Sequence, residues 1–346
     1  MNSMPPRQSV GRAVRAAMLV CPALLCSVAV VQAKASFTTF QISNDRTTVL
    51  AMNQNGDTTG FYNDGHGNAH AFIRSATGKI TTFDVSASGS FGVGIDNAGD
   101  VTGTYLDSSG SAHGYVRTPD GTVTKFDAVK GATDTVPQGI NIDGTIAGYY
   151  TTDAPHGFVR AVDGTVTSFD VPNQPGGTKP FAINDKGEIT GAAFAENGVG
   201  EGFLRKPGGK IVTFKADFFN NLTMGISIRG TIAGSEFDGN FVGLSRAKDG
   251  TSATFEAPGA GTLPDQGTFG NSVNKSGEIS GEYSDNSSVF HGFVRSAFGK
   301  LKSFDAPGAG TRGSQGTLPI AINDSGVVAG SYIDSENASH GFIRNP

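Results

Sequence analysis

The sequence contains no tryptophan, and its two cysteines, Cys21 and Cys26, both fall within the first 33 residues. Without tryptophan, the chain lacks the largest aromatic platform for stacking on a sugar ring. Beyond residue 33 no disulfide or thiolate chemistry is available, so packing has to hold the fold together. Charge is sparse: Asp, Glu, Lys and Arg make up 16% of residues, with 31 acids against 26 bases. Residues 1–33 hold three arginines and no acid, so without them the net charge moves from −5 to −8. An acidic balance of this kind disfavours nucleic acid and anionic lipid as partners. Helical apolar periodicity is missing throughout. So are the P-loop, the dinucleotide fingerprint GxGxxG, the zinc-protease HExxH and the nucleophile elbow Gly-x-Ser-x-Gly. No cofactor and no metal is expected.

The one long apolar run, AAMLVCPALLCSVAVV, follows Arg7, Arg12 and Arg15 and ends in small residues around Ala33 and Ala35. A basic region, a short apolar core and a small-residue cleavage site describe a secretory signal peptide. The run is broken by Pro22 and falls short of the ~20 residues a membrane span needs. Residues 1–33 are therefore expected to be removed, leaving no membrane span and a secreted or periplasmic product.

The 50 glycines, about twice the usual share and without a Gly-X-Y period, point to many turns. They belong to a repeat. Aligned on Arg74, Arg117, Arg160, Arg205, Arg246, Arg295 and Arg344, seven copies of an HGFVR-like strand recur at intervals of 43, 43, 45, 41, 49 and 49 residues. Each is preceded by an Ile-Asn turn and an Ile-x-Gly-x-Tyr run, as in AINDKGEITG from Ala182. All but the last are followed by a TxFD-like strand, with Phe83, Phe126, Phe169, Phe214, Phe255 and Phe304. Four short strands per repeat of about 45 residues match a propeller blade. The final HGFIR strand has no TxFD partner after it, whereas FTTFQI at 37–42 matches ITTFDV at 80–85 position for position.

The expectation is an all-β, seven-bladed β-propeller of four-stranded antiparallel blades, closed when the N-terminal strand completes the last blade. The blades run about 43–85, 86–128, 129–171, 172–216, 217–257, 258–306 and 307–346, the last with 37–42.

These Ile-Asn…Gly and His-Gly-Phe-Val-Arg signatures, with HAFIR at His70, resemble the HAF-repeat family of bacterial extracellular proteins. The resemblance covers the 300 or so residues after the leader. It implies export and a propeller-like repeat, and it implies no activity. Glu201 and Val242 stand where the family has His.

Five of the six histidines, His70, His113, His156, His291 and His340, share one repeat position, so rotational symmetry gives them and the seven arginines a structural role in each blade. The arginines are expected to bond to carbonyls or to the Asp of the Phe-Asp strand (Asp84, Asp127, Asp170, Asp305). The Asn/Asp-Gly turns lack the ligand ladder of a calcium loop and read as hairpins. The longer connections, second to third strand and fourth to next first, emerge on one side. Variable loops on a rigid scaffold are where binding concentrates. Asp64, Asp107, Asp153, Asp238, Asp285 and Asp334 on this face are the ligand-face candidates.

Catalytic residues are not expected from the pattern. The leading expectation is a monomeric, secreted, non-catalytic binding scaffold for an extracellular protein or glycan. Alternatives are a lyase or hydrolase at the channel mouth acting on an extracellular polymer, and a lectin with repeated sites. An enzyme would show a non-repeating polar cluster at the channel, and a lectin would show matching pockets.

Overall fold

A computed structural model describes residues 35–214 and 222–346. The chain divides into two compact units, Met1–Lys34 and Ala35–Pro346. The expected leader falls in the first and lies outside the described residues, as does the KADFFNN segment at 215–221.

Every regular element among the described residues is a strand. After β1 (Ser36–Phe40), the first group is β2 (Arg46–Met52), β3 (Thr58–Asn63), β4 (Ala69–Arg74) and β5 (Ile80–Phe83). The second is β6 (Ser90–Ile95), β7 (Val101–Leu106), β8 (Ala112–Arg117) and β9 (Val123–Phe126). The third is β10 (Asp134–Ile140), β11 (Ile146–Thr151), β12 (Pro155–Arg160) and β13 (Val166–Phe169). The fourth is β14 (Gly177–Ile183), β15 (Ile189–Phe194), β16 (Gly200–Arg205) and β17 (Ile211–Phe214). The fifth is β18 (Leu222–Ile226), β19 (Ile232–Phe237), β20 (Phe241–Arg246) and β21 (Ser252–Phe255). The sixth is β22 (Gly267–Val273), β23 (Ile279–Ser284), β24 (Phe290–Arg295) and β25 (Leu301–Phe304). Three strands end the chain: β26 (Gly316–Ile322), β27 (Val328–Ile333) and β28 (Ser339–Asn345).

Within each group consecutive strands pair antiparallel, giving the four-stranded sheets of a propeller-like fold. Some neighbouring sheets also touch through single parallel bridges, such as Phe241↔Gly267, Phe290↔Gly316 and Arg46↔Ser339. The partner of β28 on its outer side is β1, antiparallel over five pairs from Ser36↔Asn345 to Phe40↔Gly341.

The repeat signatures explain how neighbouring sheets adhere. The Phe that ends each outer strand lies over the Gly of the HGF triplet, so closely that a Cβ on Gly157 would meet the Phe169 ring at 2.6 Å. From there the ring reaches the next sheet. Phe126 meets Phe158 edge-on at 6.1 Å, and the Arg160 guanidinium sits 4.8 Å from the Phe126 ring centre. Phe40 in β1 does the same to Phe72 (6.1 Å) and Arg74 (4.9 Å). Phe72, Phe158, Phe203, Phe293 and Phe342 are fully buried, each worth roughly 1.5–3 kcal/mol of apolar transfer. Arg therefore serves packing as well as bonding. Its Nη1 donates to the carbonyl of the following residue, as Arg160 does to Ala161 at 3.2 Å. The Asp of the Phe-Asp pair is not its partner.

The Asn of the Ile-Asn turn works in two directions. Asn184 Oδ1 accepts from the amides of Lys186 and Glu188 to close its own turn, while its Nδ2 donates to the Ser227 carbonyl of the next sheet. Asn53, Asn141 and Asn274 reach the next sheet in the same way, and Asn323 reaches the carbonyl of Gln54 near the start of the chain. Further links join the same two regions: Asp324 N–H to Gln54 Oε1 at 2.7 Å, Val49 N–H to Ser331 Oγ at 2.9 Å and Ser339 Oγ to the Thr47 carbonyl at 3.0 Å.

Candidate functional site

In all seven groups the ladder between first and second strands slips by one residue at the same place, as between Val49 and Ala51 or between Gly270 and Ser272. A bulge re-aims the extra side chain. The seven bulged residues are Leu50, Val93, Gln138, Phe181, Met224, Asn271 and Ile320, and all of them line one cavity of about 250 Å³. This position ignores the repeat consensus. The scaffold is shared while the wall chemistry varies.

A second cavity, of about 390 Å³, shares Leu50 and Ile320 with the first. Asp45, in a connection from fourth to first strand, and Asn337, in one from second to third, stand among its lining residues, so it lies on the side of the longer loops. Val49, Leu50, Leu318, Ile320 and Ile333 supply apolar wall, and Arg46 and Ser339 stand with Asp45 and Asn337. Arg46 is held in place, its Nε donating to Thr48 Oγ1 at 3.1 Å and its guanidinium resting 5.1 Å from the Phe61 ring centre.

Glu282 of β23 is the acid in the wall. Asn271, at the bulge of the paired strand β22, donates through Nδ2 to Glu282 Oε2 and to the Pro319 carbonyl at 2.7 Å. Burial raises the Glu282 carboxyl to about 8, against the opposing pull of the Asn271 hydrogen bond. A carboxylic acid in such surroundings is neutral at pH 7 and can donate a proton. The corresponding residues in the other groups are Phe61, Thr104, Tyr149, Ala192, Ser235 and Ser331. Glu282 is thus the one carboxyl among the seven.

The residues singled out by sequence lie elsewhere and have partners. His70 stacks on Tyr62 (5.1 Å) and sits between Asp84, 2.8 Å from Nδ1, and Asp64, 3.4 Å from Nε2. His113 lies likewise between Asp127 and Asp107, His156 between Asp170 and Asp153, and His291 between Asp305 and Asp285. His340 stacks on Tyr332 and meets Asp334 at 2.7 Å. At the outer-strand position that holds Asp in the other His-bearing groups, the sequence here has Gln41. Tyr, His and Asp vary together: where His is replaced by Glu201 and Val242, the Tyr positions hold Ala193 and Glu236 and the Asp positions hold Lys215 and Glu256.

Five of the six ligand-face carboxylates are occupied by these contacts. Asp64 closes its loop by accepting from the amides of His66 and Asn68, and Asp107, Asp285 and Asp334 do likewise two and four residues on. Hydrogen bonds from Asn68 hold Asp64 well below the usual carboxylate range, and bonds from Ser109 and Thr152 bring Asp107 and Asp153 to about 2. Asp238 stands in a tight turn whose amide bonds to the Asn240 carbonyl. None of the six lines either cavity; the acid that does so beside Asn271 is Glu282, and the sequence signal for it was departure from the repeat.

Among the described residues no group of three or more His, Cys, Asp or Glu side chains gathers in a metal-holding arrangement, and no helix is long and apolar enough to cross a membrane.

No family model and no curated protein matches the chain. Solved structures do. Virginiamycin B lyase from Staphylococcus aureus aligns over 90% of this chain and 98% of its own, at 13% identity and a TM-score of 0.58. Acylaminoacyl peptidase of Pyrococcus horikoshii aligns over 88% of this chain and 51% of its own, at 9% identity and a TM-score of 0.56. A puromycin hydrolase aligns over 84% and 50%, at 11% identity and a TM-score of 0.53. This chain spans about half the length of those two. The expectation of a non-catalytic scaffold is overturned here: these three solved structures that share the fold are enzymes, and a carboxyl raised to about 8 lines a cavity on the side of the longer loops. What this chain has in common with them is the propeller-like fold.

Proposed function

We propose that the chain is an exported seven-bladed β-propeller of HAF-repeat type, closed by β1, that acts at the channel mouth as a lyase or hydrolase on an extracellular polymer. Ring closure is supported by the β1–β28 pairing, by the links from Ser331, Asn323 and Ser339 to residues 47–54, and by a cavity lined from all seven first strands. Export is supported by the leader-like sequence.

The observation that carries catalysis is Glu282, an ionisable side chain that breaks the repeat and is kept neutral beside Asn271 in a cavity wall. Buried acids with pKa values moved toward neutrality concentrate at functional sites. A neutral carboxyl can protonate a leaving oxygen or nitrogen as its bond breaks, the work of a general acid. Arg46 stands at the mouth beside Asp45, so the two offset one another in formal charge. Lyase, peptidase and hydrolase activities named for the matched structures agree with bond cleavage on this fold.

The test is a turnover screen of residues 35–346 against peptides, polyesters and polysaccharides, reading new amines, new acids, reducing ends and ultraviolet-absorbing double bonds. Wild type should cleave one class, and Glu282→Gln should lower that rate by at least 100-fold with folding intact. Equal rates for the two proteins would sink the reading.

A further inference from the structure

The 390 Å³ cavity has an uneven chemistry that narrows what it can hold. Its volume lies at the small end of ordinary ligand cavities. Aliphatic wall comes from Val49, Leu50, Leu318, Ile320 and Ile333, and no aromatic side chain lines it. Sugar rings need stacking faces, and this wall has no aromatic one. Ser331 Oγ accepts from the Val49 amide. The acid in the wall is Glu282, whose Oε2 accepts from Asn271 Nδ2.

We propose that this cavity binds a compact aliphatic group attached to an uncharged amide or ester carbonyl, the aliphatic part against Leu318 and Ile320 and the carbonyl oxygen accepting a hydrogen bond from the Glu282 carboxyl. This rests on the channel-mouth reading and narrows its polymer to one with aliphatic acyl units, away from carbohydrate. A neutral acid donates to a carbonyl, and its ionised form repels it. An aliphatic group set against Leu318 and Ile320 leaves no polar group of its own unpaired there. Asp45 and Arg46 at the mouth offset one another in formal charge, so the site as a whole selects on the interior.

Calorimetric titration of residues 35–346 with N-acetyl-leucine methylamide, and separately with methyl glucoside, tests this. The amide should bind saturably at pH 6.5 and the glucoside should not. With the carboxyl at about 8, wild-type affinity at pH 9.5 should fall roughly 30-fold as the donor is lost. Glu282→Gln keeps an N–H donor, so its affinity should be retained and be flat between the two pH values. Leu318→Trp, which fills the cavity, should abolish binding. Glucoside binding, no amide binding, or a wild-type affinity that ignores pH overturns the proposal. If the amide binds as stated but no polymer is cleaved, catalysis fails and the ligand class stands. If a polysaccharide is cleaved with no amide binding, the ligand class fails and catalysis stands.

Discussion

Replacing Phe40 with Ala tests the meeting of the two ends of the chain against a built-in reference. Phe40 in β1 and Phe126 in β9 occupy the same place in their sheets. Each ring stands edge-on at 77° and 6.1 Å from a fully buried Phe, Phe72 or Phe158. Each also lies under an arginine, at 4.9 Å for Arg74 and 4.8 Å for Arg160. Truncating a core Phe costs about 3–5 kcal/mol, and these rings are half-buried, so about 2–3 kcal/mol is expected from lost burial and cavity. The ring pair and the cation contact are part of that loss, at about 0.5–1.5 and 0.5–1 kcal/mol. If β1 is a permanent member of the last sheet, Phe40→Ala and Phe126→Ala destabilise equally, within about 1 kcal/mol. If β1 frays as a free terminus, Phe40→Ala costs under about 0.5 kcal/mol. Urea unfolding followed by far-ultraviolet circular dichroism reads both, because the chain has no tryptophan to report. A loss of about 2–3 kcal/mol for Phe126→Ala beside almost none for Phe40→Ala would refute the closed seam.

Paired antiparallel residues have Cα atoms about 4.5–5.5 Å apart, inside disulfide range. Ser36→Cys with Asn345→Cys, a register pair, should therefore crosslink on mild oxidation in a chain otherwise free of cysteine after residue 33; an uncrosslinked product would contradict the pairing. Gly157→Val should destabilise by about 1–3 kcal/mol, because the new Cβ would meet the Phe169 ring at 2.6 Å; unchanged unfolding would show that the ring can move aside at little cost. Stability should fall as pH rises above about 6.5. Although partial burial opposes charge on His70 and His156, the flanking carboxylates raise both, and the Asp127 bond raises His113, so their stabilisation is full below the unfolded value and lost above the folded one. The three should contribute on the order of 1 kcal/mol together, and replacing all three with Gln should flatten that part of the profile. Glu282 acts in the same direction over a wider window, since its folded value near 8 exceeds the unfolded 4.5. Glu282→Gln should gain about 4 kcal/mol over wild type at pH 8 while losing activity, and a variant that is no more stable there would mean the acid is not held neutral.

Strand content was legible because each copy is written in local chemistry. Gly at the turn supplies positive φ, 70° at Gly187 and 93° at Gly164. Alternation over four to six residues sets the strands, and Asn at the turn closes its own hairpin. The pairing of β1 with β28 was legible too, since FTTFQI carries the outer-strand pattern with nothing beside it in sequence. The His role was half visible: its recurrence announced a duty within each sheet. Its partners, Tyr across the ladder and two acids from different loops, needed three strands side by side. That four of the ligand-face aspartates close their own loops, accepting amides two and four residues on, was visible only with the loops folded.

By itself, then, the sequence determined what is local and repeated: turns, strands, the unit and the partner for its last edge. Tertiary structure decided the site. A one-residue bulge is invisible as composition, yet it turns seven unlike side chains toward one cavity. The state of Glu282 depends on burial and on Asn271, 11 residues away across a ladder. Proton affinity follows from what surrounds a group in space, and no reading along the chain supplies that.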